Sequence, residues 1–334
     1  MDTLKLGMIG AGRMAKWHLK AYSKMPNVEV VAIANPTSGR GQKLARKHGI
    51  RQHFSDALGM IRDIDIDAVD ICVPEGLHKD LVLAALEKGL HVYVEKPMCE
   101  NSQDAGEIIA ANEKAKKVVF NGFNYRYLPG FRRIRKVIES GRLGKIRYIR
   151  MMRTTKDSPD VAARNSREGD IFAGFHSHFI DLLFSFGFSE PRSACAFGTS
   201  VHEWPANPDT ATVALTYPGG MLAEITASTA SPGLAPEVLM IGTKGTLRLD
   251  FGRVSVVRKR DKWSLLRLVP MMFREAMVVP CRMLRNPFTG STEHFVRCVL
   301  YGKENDSDEK SAAAVLKVVD AAVESYKTGA AVSL

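Results

Sequence analysis

The chain has 334 residues, 45% of them apolar and 25% charged, so it can bury a large core and its length favours two domains over one. No apolar run reaches the roughly 20 residues that span a bilayer, and Gly10, Gly12 and Arg13 interrupt the amino-terminal stretch where a signal peptide needs a continuous apolar core, so a cytoplasmic protein is expected. Five cysteines, at 72, 99, 195, 281 and 298, form no CxxC pair, which argues against a disulfide framework or a zinc site; no metal is expected.

In the first third, short apolar runs alternate with amphipathic stretches, the sequence form of a doubly wound parallel sheet. Strands are expected at 4–9, 28–34, 68–73, 91–94 and 118–121, with helices such as 14–25 and 81–88 between them. The first run ends in "GAGRMA", Gly10 to Ala15, a G-x-G-x-x-A turn between a strand and a helix. Gly10 permits the tight turn and Gly12 the close approach of a diphosphate. Ala15 lets the helix pack near the strand, and Arg13 and Met14 open the helix with unpaired N–H groups. This predicts a dinucleotide-binding Rossmann domain.

The second run ends in "AIANPTSGRGQK". NAD binders usually place Asp or Glu at this strand end to hold the ribose 2′-hydroxyl. Here Asn35 takes that place, followed by Ser38 and Arg40, a combination that suits a 2′-phosphate; NADP is therefore favoured over NAD. The next strand end, "ICVPEGLHKD", makes Pro74, Leu77 and His78 candidates to line the nicotinamide side of the crevice. His78 is equally well explained as a packing residue at a helix start.

The run "HVYV" stops abruptly in Glu95-Lys96-Pro97, which lie over the same crevice; Glu95 is a candidate cofactor contact. Lys96 can point at a substrate beside the nicotinamide, with Pro97 setting the turn, through a cis bond if one forms. Partial burial would lower the lysine pKa from about 10.4 and let it donate or relay a proton.

After "FNGFNYRYLPGF" the pattern changes, and the domain boundary is expected near 122, giving 1–122 as the dinucleotide-binding domain and 123–334 as an α+β domain for substrate binding and oligomerisation. A helix (131–140), the strand "KIRYIRMMR", a polar loop and the helix "FHSHFIDLLFSF" lead into consecutive strands at 193–201, 210–217, 221–229, 238–241, 246–250 and 254–257. Strands in succession with turns such as "YPGG" read as an open, mainly antiparallel sheet. The final helix, 310–327, is expected to pack back on the body.

Net charge is +11, and 253–285 carries nine basic residues against two acidic ones. A packing or oligomer contact, an anionic substrate and a membrane surface each account for this run; Pro270 and Pro280 weaken the membrane reading. No nucleic-acid-binding motif accompanies the charge, and no nucleic acid is expected.

Taken together, "GAGRMA", "VDICVPEGLH", "VEKPM", "NGFNYRY" and "HSHFIDLL", in that order and spacing, resemble the Gfo/Idh/MocA oxidoreductases, with "LMIGTKGTLRLD" extending the likeness into the second sheet. The resemblance implies hydride transfer between a nicotinamide and a secondary hydroxyl or keto carbon of a sugar, cyclitol or sugar derivative. It implies a cofactor on the first domain and substrate between that domain and the open sheet of the second; the exposed side of that open sheet is a candidate interface for a homo-oligomer. It also implies Lys96 and His178 as catalytic residues and Asn124, Tyr125, Arg126 and Asp181 as the substrate side. His178 and Asp181 lie three apart on a helix and so share a face. Many members carry Asp or Asn where this chain has Gly174, and His176 replaces a usually small residue. That departure leaves open a cofactor-binding regulator without turnover. An enzyme that keeps NAD bound to cleave glycosidic bonds is a further alternative.

Overall fold

The computed structural model describes residues 3–36, 39–155, 171–201, 208–231, 236–250, 253–258 and 286–334. Ser38 and the basic stretch from 259 to 285 lie outside the described residues. By compactness the chain divides into Met1–Asn124 with Arg285–Leu316, and Tyr125–Leu284 with Lys317–Leu334. The segment from 285 to 316 thus groups with the first unit, whereas the sequence pattern had assigned it to the second domain.

Among the described residues, the first unit is built on the parallel sheet β3-β2-β1-β4-β5-β6. Its strands are β1 (Leu4–Ile9), β2 (Val28–Ala34), β3 (Gln52–Phe54), β4 (Ala68–Ile71), β5 (His91–Val94) and β6 (Val119–Asn121). The order reverses at β1 and β4, the switch point where ligands of such sheets bind. The connecting helices are α1 (Arg13–Tyr22), α2 (Arg40–His48), α3 (Ala57–Asp63), α4 (His78–Glu87) and α5 (Ser102–Ala115). Central strands are buried on both faces, which explains their continuous apolar runs.

The grouping of 285–316 has a packing cause. Within this stretch, α8 (Thr289–Tyr301) sends fully buried Phe295 against the rings of Tyr93 and Phe120, at 5.6 and 5.9 Å between centroids. The Tyr93 hydroxyl also donates to Ser291 Oγ at 3.1 Å. Aromatic packing of this kind joins segments that lie some 200 positions apart in sequence, beyond the reach of local periodicity.

The second unit holds a sheet ordered β13-β12-β11-β7-β10-β9-β8-β14. Its strands are β7 (Ile146–Thr154), β8 (Ser193–Thr199), β9 (Thr210–Thr216), β10 (Leu222–Ser228), β11 (Glu237–Gly242), β12 (Gly245–Asp250), β13 (Arg253–Arg258) and β14 (Val332–Ser333). All pairs are antiparallel except β7 with β10. Burial alternates along β9 to β12, the period of a sheet with one covered face. The covering elements include α6 (Pro129–Glu139), whose Phe131, Ile134 and Val137 are buried and which packs on β12 and β13; the same unit holds α7 (Ser177–Ser185). The last helix is α9 (Glu309–Thr328). Among the described residues, no helix is long and apolar enough to cross a membrane.

Candidate active site

Parallel register aligns the carboxyl ends of the first sheet. Ile9 pairs with Ala34 and Ile71, Ile71 with Val94, and Val94 with Asn121. The residues immediately beyond this row are Gly10, Asn35, Cys72, Glu95 and Gly122. Three of the sequence candidates therefore stand at one edge of one sheet, and Lys96 follows directly.

At the first turn, Gly10 has φ +104°, and a Cβ there would lie 2.2 Å from the Cys72 carbonyl oxygen, so only glycine is accommodated. Gly12 differs: nothing lies within 4 Å of its added Cβ, which leaves open space above the helix start. Gly12 caps α1 with no side-chain hydrogen bond, and the first turn, with Arg13 exposed and Met14 half-buried, holds no acidic residue. The leading N–H groups are thus available to an anion, and the negatively charged diphosphate of a dinucleotide suits this cradle.

Asn35, 8% exposed, ends β2 and fixes its own backbone through a 2.9 Å N–H bond to the Phe54 carbonyl. Arg40 is exposed at the first position of α2. Pro74 is exposed, as is Leu77 in the 3-10 turn that precedes α4.

His78 is almost wholly buried, and its two ring nitrogens lie 2.8 Å from the Pro97 carbonyl and 2.9 Å from the Val73 carbonyl. It ties the chain leaving β4 to the turn leaving β5. These contacts hold the turn that carries Lys96. The Lys96–Pro97 bond is cis.

Glu95 is fixed on several sides. Its backbone N–H donates to the Ile71 carbonyl at 3.0 Å, and Oε2 accepts from the Lys96 N–H at 3.3 Å. Oε1 abuts Gly122, where a Cβ would come within 3.1 Å.

Beneath Glu95 lies a residue that sequence reasoning missed. His18, on the inner face of α1, has no exposed surface; Nδ1 is 2.8 Å from Asp70 Oδ2, and Nε2 is 3.0 Å from Glu95 Oε1. The second contact has ion-pair distance without hydrogen-bond alignment. Asp70 also accepts from the Tyr22 hydroxyl at 2.8 Å and the Cys72 thiol at 3.2 Å. Burial and the neighbouring Asp70 carboxylate push both of these donors well above their ordinary pKa, so they stay protonated. Burial is the largest single influence on His18 and opposes its charge, but Asp70 together with the other buried groups around the ring outweighs it, and the ring pKa stands well above its usual value. His18, Asp70 and Cys72 bring three ligand-type atoms within 4.8 Å of one another, and hydrogen bonds among them already engage these atoms. The available signal was an aspartate inside the apolar run "AVDI", facing a helix whose His18 and Tyr22 are four apart.

In the second unit the sequence candidates form a stack. The ring of His178, 9% exposed, lies parallel to Tyr125 with centroids 4.1 Å apart and an 8° interplanar angle. Arg153 sits over the same tyrosine ring at 5.3 Å, and Phe131 stacks on it at 5.6 Å. Asp181, fully buried, takes a forked pair from Arg126, with Nε at 2.8 and 3.0 Å. This bond orients the Arg126 guanidinium. Asn124, 6% exposed, belongs to the first unit, as does Lys96, whereas Tyr125, Arg126, His178 and Asp181 belong to the second.

The helix bearing His178 follows a π turn, Phe172–His176, that contains Gly174. His176 is fully buried: Nδ1 lies 3.0 Å from the Ile171 carbonyl, and Nε2 lies 3.2 Å from those of Ala211 and Ile225. It fastens the turn to β9 and β10, a loop-bonding role. Burial lowers its pKa despite the carbonyl contacts.

Comparison with known proteins agrees with this geometry. Residues 4–123 match the family profile described as "Oxidoreductase family, NAD-binding Rossmann fold", and residues 131–248 match the GFO/IDH/MocA C-terminal domain. The chain is 30% identical over 261 residues to an uncharacterized oxidoreductase, YrbE, of Bacillus subtilis, covering 75% of each chain. It is 26% identical to scyllo-inositol 2-dehydrogenase (NAD(+)) of the same organism, over 99% of this chain and 96% of that one. An oxidoreductase from Agrobacterium radiobacter, solved with NAD+, L-tartaric acid and magnesium, superposes with a TM-score of 0.85 at 19% identity, over 100% of this chain and 98% of that one, and so shares the fold. The chain belongs to the Gfo/Idh/MocA family of oxidoreductases, with an NAD-binding Rossmann fold at its amino-terminal end.

Proposed function

We propose that this oxidoreductase transfers hydride between a nicotinamide cofactor and a secondary hydroxyl or keto carbon of a sugar, cyclitol or sugar derivative. The observation that carries the reading is Lys96, set two residues beyond the aligned carboxyl ends of the sheet on a turn fixed by Glu95 and His78. The bound nicotinamide supplies or accepts the hydride. In the oxidative direction, His178 takes the hydroxyl proton as general base while Lys96 polarises that oxygen; in reduction His178 returns the proton. Arg126, Tyr125, Asp181 and Asn124 form the substrate side, with the Arg126–Asp181 pair and the Tyr125–His178 stack keeping His178 oriented.

Gly10, Gly12, Arg13 and Met14 hold the diphosphate; Pro74, Leu77 and Glu95 border the nicotinamide end, with His78 holding the turn behind them. Asn35 in place of an acid, with Ser38 and Arg40 after it, supports NADP over NAD. The Bacillus scyllo-inositol enzyme is named for NAD(+), so both cofactors belong in every assay. We propose the same division of labour for the domains, 1–122 for the cofactor and 123–334 for substrate, with a cytoplasmic location and a homo-oligomer formed through the second sheet, which exposes Phe197, Leu222 and Ile241.

The test is a 340 nm absorbance screen of cyclitols, aldoses, sugar derivatives and their keto forms with NAD(H) and NADP(H), comparing wild type, Lys96→Met and His178→Gln. Turnover by the wild type that falls by about 10²–10⁴ in each variant is expected. Wild-type turnover unaffected by both substitutions would overturn the assigned roles. Cofactor binding without turnover across the screen would favour the regulator.

A further inference from the structure

The Asp70–His18–Glu95 line is absorbed by none of the roles given above. It lies wholly within the first unit and leads from the interior to the Lys96 backbone. A neutral His18 that donates Nδ1–H to Asp70 would turn the Nε2 lone pair toward Glu95 Oε1 at 3.0 Å, an acceptor facing an acceptor. A ring with protons on both nitrogens removes that conflict and places one positive charge between two carboxylates.

The surroundings favour the doubly protonated ring. The titratable groups facing His18 are Asp70 and Cys72 from β4 and Tyr93 and Glu95 from β5, and Tyr22 of α1 shares the Asp70 carboxylate. Cys72, Tyr22 and Tyr93 are buried and held neutral, so among the described residues the full charges facing the ring are the two carboxylates. Glu95 cannot swing away freely, because Gly122 closes on one oxygen and the Lys96 N–H holds the other.

We infer that His18 is a positioning residue, an imidazolium clamped between Asp70 and Glu95 that fixes the Glu95 carboxylate and, through it, the turn presenting Lys96. The inference rests on the reading of Lys96 as a catalytic residue. His18 touches neither substrate nor cofactor in this account; it acts by holding the Glu95 carboxylate in one place. Asp70 supplies the compensating charge that makes a buried imidazolium tolerable. If Glu95 were held only by its own backbone, its buried carboxylate would lack the charge partner that His18 supplies.

The experiment combines spectroscopy on the intact wild-type protein with kinetics of its variants. Long-range ¹H–¹⁵N correlation on histidine-labelled protein at about pH 8, where an ordinary histidine near 6.5 is neutral, should show both His18 nitrogens protonated; His18→Gln assigns the signal. Kinetically, His18→Gln should lower kcat by at least about tenfold, less than loss of a proton-transfer group. Its pH–rate profile should be displaced, and Glu95→Gln added to it should cost little more. A neutral His18 tautomer at that pH, or a His18→Gln enzyme with wild-type kcat and pH profile, would overturn the inference. Should His18→Gln fail to fold, Glu95→Gln supplies the assignment through the shift of the His18 signal. An active Lys96→Met enzyme would sink the functional reading while leaving the His18 spectrum to decide the charge state by itself.

Discussion

Two histidines, His18 and His176, have no exposed surface, yet their surroundings drive them in opposite directions. His18 lies between two carboxylates, and its pKa is raised; His176 faces only backbone carbonyls, and burial lowers it. Carbonyl dipoles orient a ring and satisfy an N–H, but they do not repay the desolvation of a full charge as an ionised neighbour does. One buried histidine is therefore part of a charged network beneath Lys96, and the other is a neutral bolt in the turn ahead of His178.

The largest expected effects come from removing one member of a buried charge pair. Asp70→Ala in the first unit and Arg126→Ala in the second should each cost about 3–5 kcal/mol in urea unfolding, since each leaves an uncompensated buried charge. A cost below about 1 kcal/mol for either would show that its pair is not a charged one. His176→Leu should be milder, about 1–3 kcal/mol, the cost of leaving a buried carbonyl without its donor. If it matched Asp70→Ala, the contrast between charges and dipoles would collapse.

The subtler test is the sign of the pH dependence. A raised histidine pKa contributes stability that is fully present below 6.5 and is lost as pH rises through the folded value. The stability difference between wild type and His18→Gln should therefore shrink toward alkaline pH. For His176, with a lowered pKa, the contribution is present above 6.5 and is lost as pH falls through the folded value. The corresponding difference for His176→Leu should shrink toward acid pH. Urea denaturation of the three proteins between about pH 5 and 9, a range that brackets an ordinary histidine near 6.5, checks both slopes; equal slopes would refute the assignment.

The sequence made some of this legible and concealed the rest for physical reasons. The β-favouring runs at 4–9, 28–34 and 91–94 coincide with β1, β2 and β5, because a parallel strand buried on both faces needs an unbroken apolar run. β3 was not recognised: Gln52–Phe54 has three residues and one apolar side chain, too little for any period. The Gly10 turn was legible because its backbone admits only glycine. The His18 network was not, since its members are 18, 70 and 95 in sequence and meet only through the sheet register. The spacing of His178 and Asp181 showed a common helix face, but nothing local indicated that Arg126 would occupy the aspartate. The π turn was equally hidden, as it depends on His176 reaching carbonyls on two later strands.

The central claim is that the first unit holds a nicotinamide dinucleotide at the Gly10–Gly12 turn, and fluorescence titration of the purified protein with NADPH and NADH tests it most directly. The account predicts saturable binding of at least one, tighter for NADPH, and its loss in Gly12→Asp, where a carboxylate would fill the open space above the helix start. Failure of the wild-type protein to bind either dinucleotide would contradict it.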